Sequence, residues 1–555
     1  MTPDLSDTAP AEHNGEKPVA ATESKDVDTT EYVTGWKLVA VVAGVALACF
    51  LMLIDTMIIS TAIPRITDDF NSLADIGWYA SAYQFGSAAP QPLTGKIFTH
   101  FRTKWSFLFF FAIFEVGSVL CGAAQSSPML IIGRTIAGLG GAGIINGAII
   151  IISSCVPQEK RPVGQLGMVV GPLVGGAFTS YNTWRWCFYI NLPIGAVVAV
   201  AVAFIHIPEQ THKAKAMAIF HKLHHYLDFV GFFLFAPAVL QLLLALQYGG
   251  NEFAWRSSQV IGLFCGSAAT FVVWAFWNRR KGDDALLPHS LIGRRIVWVS
   301  GLFQALFMSA LYGSVYYLPI YFQAINGVSA MLSGVYLLPT ILPELVMAGV
   351  AGGLIMKIGY IIPFALVSTI LLSIANGLYS MLRPGSPMGW WIGFQIIGGF
   401  GAGIGLNLAI VAVQAFVTGE ELSSAMAFIV FMQSLGPAIF LVLCNLLFVA
   451  SLKTQLPQHA PTANVGAVMQ AGATGFRAIV EPGELPGVLT AYANSVNRTF
   501  YLVTALAAAC FVVLWGMGWK DLRNPTGRKT GEAAGPEGNE KVLQQDEVET
   551  RSLPA

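Results

Sequence analysis

The chain has 555 residues, of which 55% are hydrophobic and 11% are charged, where an ordinary soluble domain carries about 25% charge. Its 31 Lys+Arg and 31 Asp+Glu cannot clothe several soluble domains, so the composition excludes a soluble enzyme and turns the surplus apolar surface toward lipid. A formal net charge of zero supplies no electrostatic reason for a nucleic-acid partner.

Residues 1–36 hold eight acidic side chains, from Asp4 to Glu31, and few large apolar ones. Such a segment cannot bury enough surface to fold alone and reads as a disordered cytoplasmic tail. It has neither the basic n-region nor the apolar h-region of a signal peptide, so the first membrane segment is expected to serve for targeting. Apolar runs then begin near Leu38, Gly77, Phe107, Met129, Val163, Cys187, Phe229, Val260, Val297, Ser333, Ile361, Trp390, Ala425 and Tyr501. At about 20 residues per crossing these predict fourteen transmembrane helices. An even count places both termini on one side. The short loops on that side hold fourteen Lys and Arg, including Lys96, Arg102, Lys104, Arg279 and Arg295, whereas the opposite ones hold Arg65, Arg185, Arg256 and Arg383. The excess predicts cytoplasmic termini.

The organisation expected is an all-α integral membrane protein. A first six-helix bundle spans 37–207, a linker with helices seven and eight 208–282, a second six-helix bundle 283–519, and a second disordered tail 520–555. Within the second bundle, residues 451–498 are rich in Pro, Gly and Gln and read as an extracellular loop. The sequon Asn497-Arg498-Thr499 abuts the last helix, a poor place for glycosylation. The seven cysteines lie in or beside apolar runs without CxxC spacing, so they read as small buried hydrophobes; no metal site or cofactor is expected.

An offset of 261 residues places Ile136-Ala-Gly-Leu-Gly-Gly-Ala-Gly-Ile-Ile-Asn-Gly-Ala-Ile-Ile150 over Ile397-Gly-Gly-Phe-Gly-Ala-Gly-Ile-Gly-Leu-Asn-Leu-Ala-Ile-Val411. Either two Gly/Ile-rich spans coincide by chance, or helices one to six repeat as nine to fourteen, the two-bundle plan of many secondary transporters. Gly138 to Gly143 also satisfies GxGxxG, but it sits inside a span with no preceding strand, so it reads as a helix-packing surface and not as a dinucleotide site. No GxxxxGK[ST] occurs, and energy for uphill transport is expected from an ion gradient.

Ionisable residues within spans are costly unless paired or hydrated, and so mark function. These are Asp55, Glu115, Arg134 and Glu344. Asp55 and Arg134 fall at similar depth when counted at about 1.5 Å per residue. They read as a proton-coupling pair in which the proton affinity of Asp55 depends on the nearness of Arg134, or as an ion pair that merely fixes two helices. Glu115 and Glu344 are candidate cavity acids, Glu344 lying between prolines in Leu338-Pro-Thr-Ile-Leu-Pro-Glu344; each also reads as a lone acid satisfied by its neighbours. Gly167, Gly171, Pro172, Gly175 and Gly176 in the fifth span form a hinge or a close-packing face. Trp184, Trp186, Tyr189, Trp255, Trp390 and Trp391 are expected interface anchors.

These motifs, in this order, resemble the major facilitator superfamily, specifically its fourteen-helix drug:proton antiporters, over about Trp36 to Leu522. The carriers are Ile54-Asp55-Thr-Met-Ile-Ile-Ser-Thr-Ala-Ile-Pro64, Gly77-Trp-Tyr-Ala-Ser-Ala-Tyr83, Gly133-Arg134-Thr-Ile-Ala-Gly138 and Trp184-Arg-Trp-Cys-Phe-Tyr-Ile-Asn-Leu-Pro-Ile-Gly195, and the chain looks most like fungal toxin and multidrug efflux carriers. The resemblance implies proton-coupled export with Asp55 as the first-helix acid, Arg134 as the fourth-helix arginine and Gly171-Pro172 as the antiporter signature. The cytoplasmic loop motif keeps Gly95, Arg102 and Lys104 but has Thr99 where the family has an acid. Gly171-Pro172 follows Glu159 by 12 positions, whereas Gly436-Pro437 follows Glu420 by 16. Either the fifth helix is a turn short, hence thin or tilted, or a coding segment was wrongly removed in reading the gene.

The function expected is proton-driven efflux of a small amphipathic organic compound, such as a toxin, secondary metabolite or antifungal drug, by a monomer in the plasma membrane. The alternative is a vacuolar or plasma-membrane carrier of amino acids or siderophores.

Overall fold

A computed structural model describes residues 36–155, 177–180, 183–204, 228–250, 253–417, 421–519 and 521–522. Among them, twelve helical stretches are long and apolar enough to cross a membrane, against the fourteen expected. The first span is α1 (Trp36–Phe70). The second is present but interrupted, as α2 (Ile76–Ala88) and α3 (Gln91–His100), because Pro90 and Pro92 lack the N–H groups that a continuous ladder needs. The span from Val163 lies outside the described residues, and so do Gly167, Gly171, Pro172, Gly175 and Gly176. The rest of the first half comprises α4 (Thr103–Gly122), α5 (Ser127–Cys155) and α6 (Asn191–Phe204).

The extra pair is α7 (Phe229–Tyr248) and α8 (Ser258–Lys281). The second half runs through α9 (Arg295–Ile320), α10 (Leu338–Ile358), α11 (Ile362–Tyr379), α12 (Met388–Gly405), α13 (Leu408–Phe416) and α14 (Glu421–His459). It ends in α15 (Val465–Gln470), α16 (Gly472–Ile479) and α17 (Leu485–Leu514). Residues 451–498, expected as an open loop, are therefore mostly helical. Their polar residues act as helix punctuation: Asn464 accepts a bond from the Ala467 N–H at 3.1 Å and caps α15, and Pro486 stands in the first turn of α17, where a missing N–H costs nothing. Asn497 is inside α17, half-buried, and donates its amide to the Leu382 carbonyl at 3.0 Å, the nitrogen a glycan would need.

The 261-residue offset carries through to structure. The bounds of α5 fall on Met388 and Phe416, the outer bounds of α12 and α13. The glycines of the apparent nucleotide motif are packing seams on both faces of α5. A Cβ on Gly138 would lie 2.1 Å from the Tyr83 carbonyl oxygen of α2, and one on Gly140 2.3 Å from the Phe114 nitrogen of α4. In the second half, Cβ atoms on Gly399 and Gly401 would lie 2.2 Å from the Thr340 carbonyl oxygen of α10 and 2.7 Å from the Leu372 nitrogen of α11. Lipid offers no hydrophobic drive between helices, so such close backbone approach is what holds them together. Gly436-Pro437, the counterpart of the undescribed Gly171-Pro172, lies within α14, where a Cβ on Gly436 would meet the Ala305 carbonyl oxygen of α9 at 2.3 Å.

The halves meet along α2 against α14 and α1 against α9. Asn445 donates to the Ala74 carbonyl at 2.5 Å, Tyr316 to that of Thr56 at 2.9 Å and Gln323 to that of Thr61 at 3.0 Å. From α7, Gln247 reaches the same Ala74 carbonyl at 2.8 Å, and the Phe235 ring lies tilted against Phe431 of α14 at 5.5 Å. Among the cysteines, Cys265 is exposed instead of buried, since α8 turns most of its surface outward. Trp184 and Trp391, expected as interface anchors, are buried, whereas Trp186, Trp255 and Trp390 are exposed. The Trp184 indole N–H donates to Asp69 at 2.7 Å, and its ring lies edge-on to Phe70 and Phe188.

Because a Cβ at Gly86 would sit 2.1 Å from the Thr135 carbonyl oxygen, Gly86→Ala is expected to cost about 1–3 kcal/mol. Gly393→Ala, with nothing within 4 Å, is expected to leave stability unchanged or raised. Thermal unfolding midpoints of the two purified variants check this.

Candidate functional site

Asp55, near the middle of α1, and Arg134, early in α5, meet in the first half. Arg134 Nη1 lies 2.5 Å from Asp55 Oδ2, and both side chains are fully buried. Arg134 Nε donates to the Tyr79 carbonyl at 3.2 Å, and its guanidinium lies over the Tyr83 ring at 4.5 Å and near that of Phe188 at 5.9 Å. The other carboxylate oxygen, Asp55 Oδ1, accepts from Asn191 Nδ2 at 3.4 Å, and Asn191 also donates to Ser118 Oγ at 3.0 Å. Helices α1, α2, α4, α5 and α6 thus converge on one charge pair. Such a pair costs less in a dry interior the more of its remaining valences are met; among the described residues Arg134 Nη2 is left without a hydrogen-bond partner, and the carboxylate is better served. Asn191 does part of that work and was not singled out from the sequence. It belongs to the Trp184–Gly195 motif, so the signal was there without a role attached.

The repeat shows what is particular to this half. At the 261-residue offset, Asp55 and Arg134 correspond to Tyr316 and Gln395, and Tyr79 to Thr340. Thr340 donates to Gln395 Oε1 at 2.9 Å, so the second half keeps a polar contact between its equivalent helices but has no charge there.

Glu344 on α10 is buried and lines a cavity in the second half with Tyr312, Ser314, Thr340, Leu372 and Tyr379. Met57, two residues beyond Asp55, lines it from the first half. The free space, about 30 Å³, holds one or two waters, so the cavity is narrow in this state. Among the described residues Glu344 has no cation within ion-pair distance. Glu115 does not line this cavity: a Cβ on Gly195 of α6 would lie 2.0 Å from Glu115 Oε1, so the carboxylate fills the notch that this glycine leaves. In the loop motif, a Cβ on Gly95 would lie 3.8 Å from Ala427 of α14. Arg102 stands at the N-cap of α4, and Lys104 Nζ donates to the Ala203 carbonyl of α6. Lys96 crosses to the Asp284 and Ala285 carbonyls at 2.7 and 3.1 Å.

The sequence pattern of the Major Facilitator Superfamily matches residues 45–441. The chain belongs to the major facilitator superfamily. It is a multi-pass membrane transporter of that family and not an enzyme. It is 52% identical over 523 residues to the MFS-type transporter pigP of Monascus ruber, covering 93% of this chain and 91% of that one. Against the efflux pump mlcE of Penicillium citrinum it is 46% identical, covering 90% and 93%. The fold is similar to an inward-facing bacterial homologue of the human lysosomal transporter Spinster, with a TM-score of 0.59 at 17% identity over 87% of this chain and 98% of that chain. It is also similar to a D-xylose-proton symporter, with a TM-score of 0.54 at 14% identity over 87% and 98%.

Within this transporter, Arg134→Leu strands the Asp55 carboxylate in a dry site and is expected to cost about 3–5 kcal/mol, most of it recovered when Asp55→Leu is added. Unfolding midpoints of the single and double variants measure it; a double variant no more stable than Arg134→Leu would contradict the pairing.

Proposed function

We propose that this transporter exports amphipathic organic compounds across the plasma membrane by alternating access, taking up protons in exchange, with Asp55 as the exchangeable acid and both termini cytoplasmic. The observation that carries the reading is the fully buried Asp55–Arg134 pair, within one turn of α1 from the narrow cavity that Met57 lines. A proton arriving on Asp55 removes the charge that offsets Arg134, which frees α1 to shift against α5. Thr56 and Met57, on the same turn, bear on Tyr316 and on the cavity, so that shift reaches the cargo. Export as the direction is supported by the relatives named efflux pumps. Apart from Glu344 the cavity lining is uncharged, which suits amphipathic cargo better than amino acids, whose paired charges would need paired partners.

On this reading two six-helix bundles, 37–207 and 283–519, rock about the interface between them, with Gly167, Gly171, Pro172, Gly175 and Gly176 as a hinge and the second and fifth spans completing fourteen helices. The transporter works as a monomer without a cofactor, and Glu344 attracts the cationic end of suitable cargo.

In everted plasma-membrane vesicles with an acid lumen, adding cargo from a panel that includes rhodamine 6G is expected to draw protons out, and the lumen pH rises. Asp55→Asn, which keeps the shape of the side chain and an acceptor oxygen, is expected to abolish this while leaving the protein folded and at the surface. Exchange unchanged in Asp55→Asn would overturn the coupling. Deleting the gene is expected to raise intracellular accumulation of at least one compound of the panel, and no change for any would overturn export.

A further inference from the structure

The segment between α14 and α17 makes contacts that a passive loop would not. Helix α16 begins at Gly472, and the residue before it, Ala471, has no side chain able to cap it. The cap comes from the other half of the molecule. Asp68 Oδ1, on the last turn of α1, accepts from the backbone N–H groups of Thr474 at 2.9 Å and Gly475 at 3.1 Å, and Asp68 Oδ2 accepts from the Thr474 hydroxyl. Thr67 Oγ1 accepts from the Ala473 N–H at 3.1 Å. A carboxylate on these otherwise unpaired N–H groups also meets the positive end of the helix dipole. Gly472, at φ 84°, allows the approach: a Cβ there would lie 2.4 Å from Asp68 Oδ1.

The same short helix is fastened to the second half. Arg477 donates through Nε to the Ala324 carbonyl at 3.1 Å and through Nη2 to that of Ile325 at 2.7 Å, just beyond α9. Phe476 is fully buried and stacks on Tyr492 of α17 at 4.4 Å. Helix α16 therefore ties the end of α1 to the end of α9, at the face away from the basic loops. A vestibule of about 660 Å³ opens beside it, lined by Arg65, Asp69, Trp184, Gln323, Thr474 and Arg477 among others. Cargo leaving on this side has to part α1 from α9, and the bonds from Asp68 and Thr67 to α16 stand across that parting.

We propose that α16 is the bolt of the outer gate, with Asp68 as its catch: transport requires the Asp68 cap on α16 to break, after which the bolt swings away with the second half. This rests on the alternating-access reading above, and its test needs no cargo. Spin labels at Ser126 and Met381, with Cys265 replaced by Ser, report the separation of the outer ends of the two halves in the purified full chain. Asp68→Ala is expected to raise the ratio of separated to bolted molecules about tenfold, the effect of losing one N-cap. Asp68→Asn, which still accepts from the N–H groups, is expected to stay near the unmodified distribution. Arg477→Gln, which frees the bolt at its other end, is expected to match Asp68→Ala and serves if that variant does not fold. Distances unchanged in both Asp68→Ala and Arg477→Gln would overturn the bolt. Failure of export would appear separately, in the proton exchange and accumulation measurements.

Discussion

Inside a bilayer, a charge is costly unless it is paired or hydrated, and in the first half that requirement falls on Arg134. Its guanidinium is answered by the Asp55 carboxylate, the Tyr79 carbonyl and the Tyr83 ring, which come from α1 and α2 to an arginine on α5. Asn191 adds α6 by holding the second oxygen of Asp55. One arginine and its partner thus link these helices to one another, and loss of the partner's charge is felt by all of them. The site that organises the first half is for that reason also the site best placed to move it.

The internal repeat divides the labour. Both halves use the same glycine seams on equivalent helices, at Gly138 and Gly140 and again at Gly399 and Gly401, so the scaffold is common. The chemistry is not. The first half holds the buried ion pair, while the second has Tyr316 and Gln395 at those positions and instead encloses a cavity with the single acid Glu344. The ion pair and the cavity then sit in different halves, and the contacts joining them, Thr56 with Tyr316 and Met57 with the cavity, are carried by one turn of α1. At the outer end, α16 joins the same two helices by a separate set of bonds.

Much of this was legible in the chain. Twelve of the fourteen spans that hydropathy located are, among the described residues, helices long and apolar enough to cross a membrane, and the charge in hydrocarbon singled out Asp55 and Arg134, with Glu115 and Glu344, before any distance was known. What hydropathy misread has local causes. Pro90 and Pro92 break the second span while leaving its apolar character intact, so a hydropathy window passes over the gap. The segment after Ser451 reads as a loop because its polar and proline residues include a cap, Asn464, and a first-turn proline, Pro486, and composition alone does not separate these from a coil. Trp184 reads as an interface anchor because the residue its indole bonds, Asp69, lies 115 residues away in sequence.

Sequence by itself determined the membrane class, the repeat, the rare charges and, through the Trp184–Gly195 motif, the family resemblance, because each depends on side-chain type and spacing along one chain. Only the tertiary structure decided which rare charges meet. Asp55 finds Arg134, Glu344 lines a narrow cavity, Glu115 fills a notch at Gly195, and Asp68 caps a helix more than 400 residues away. Partnership in hydrocarbon is set by which helix faces are brought together, and that follows from where glycines let backbones touch, a property of pairs of helices and not of any one of them.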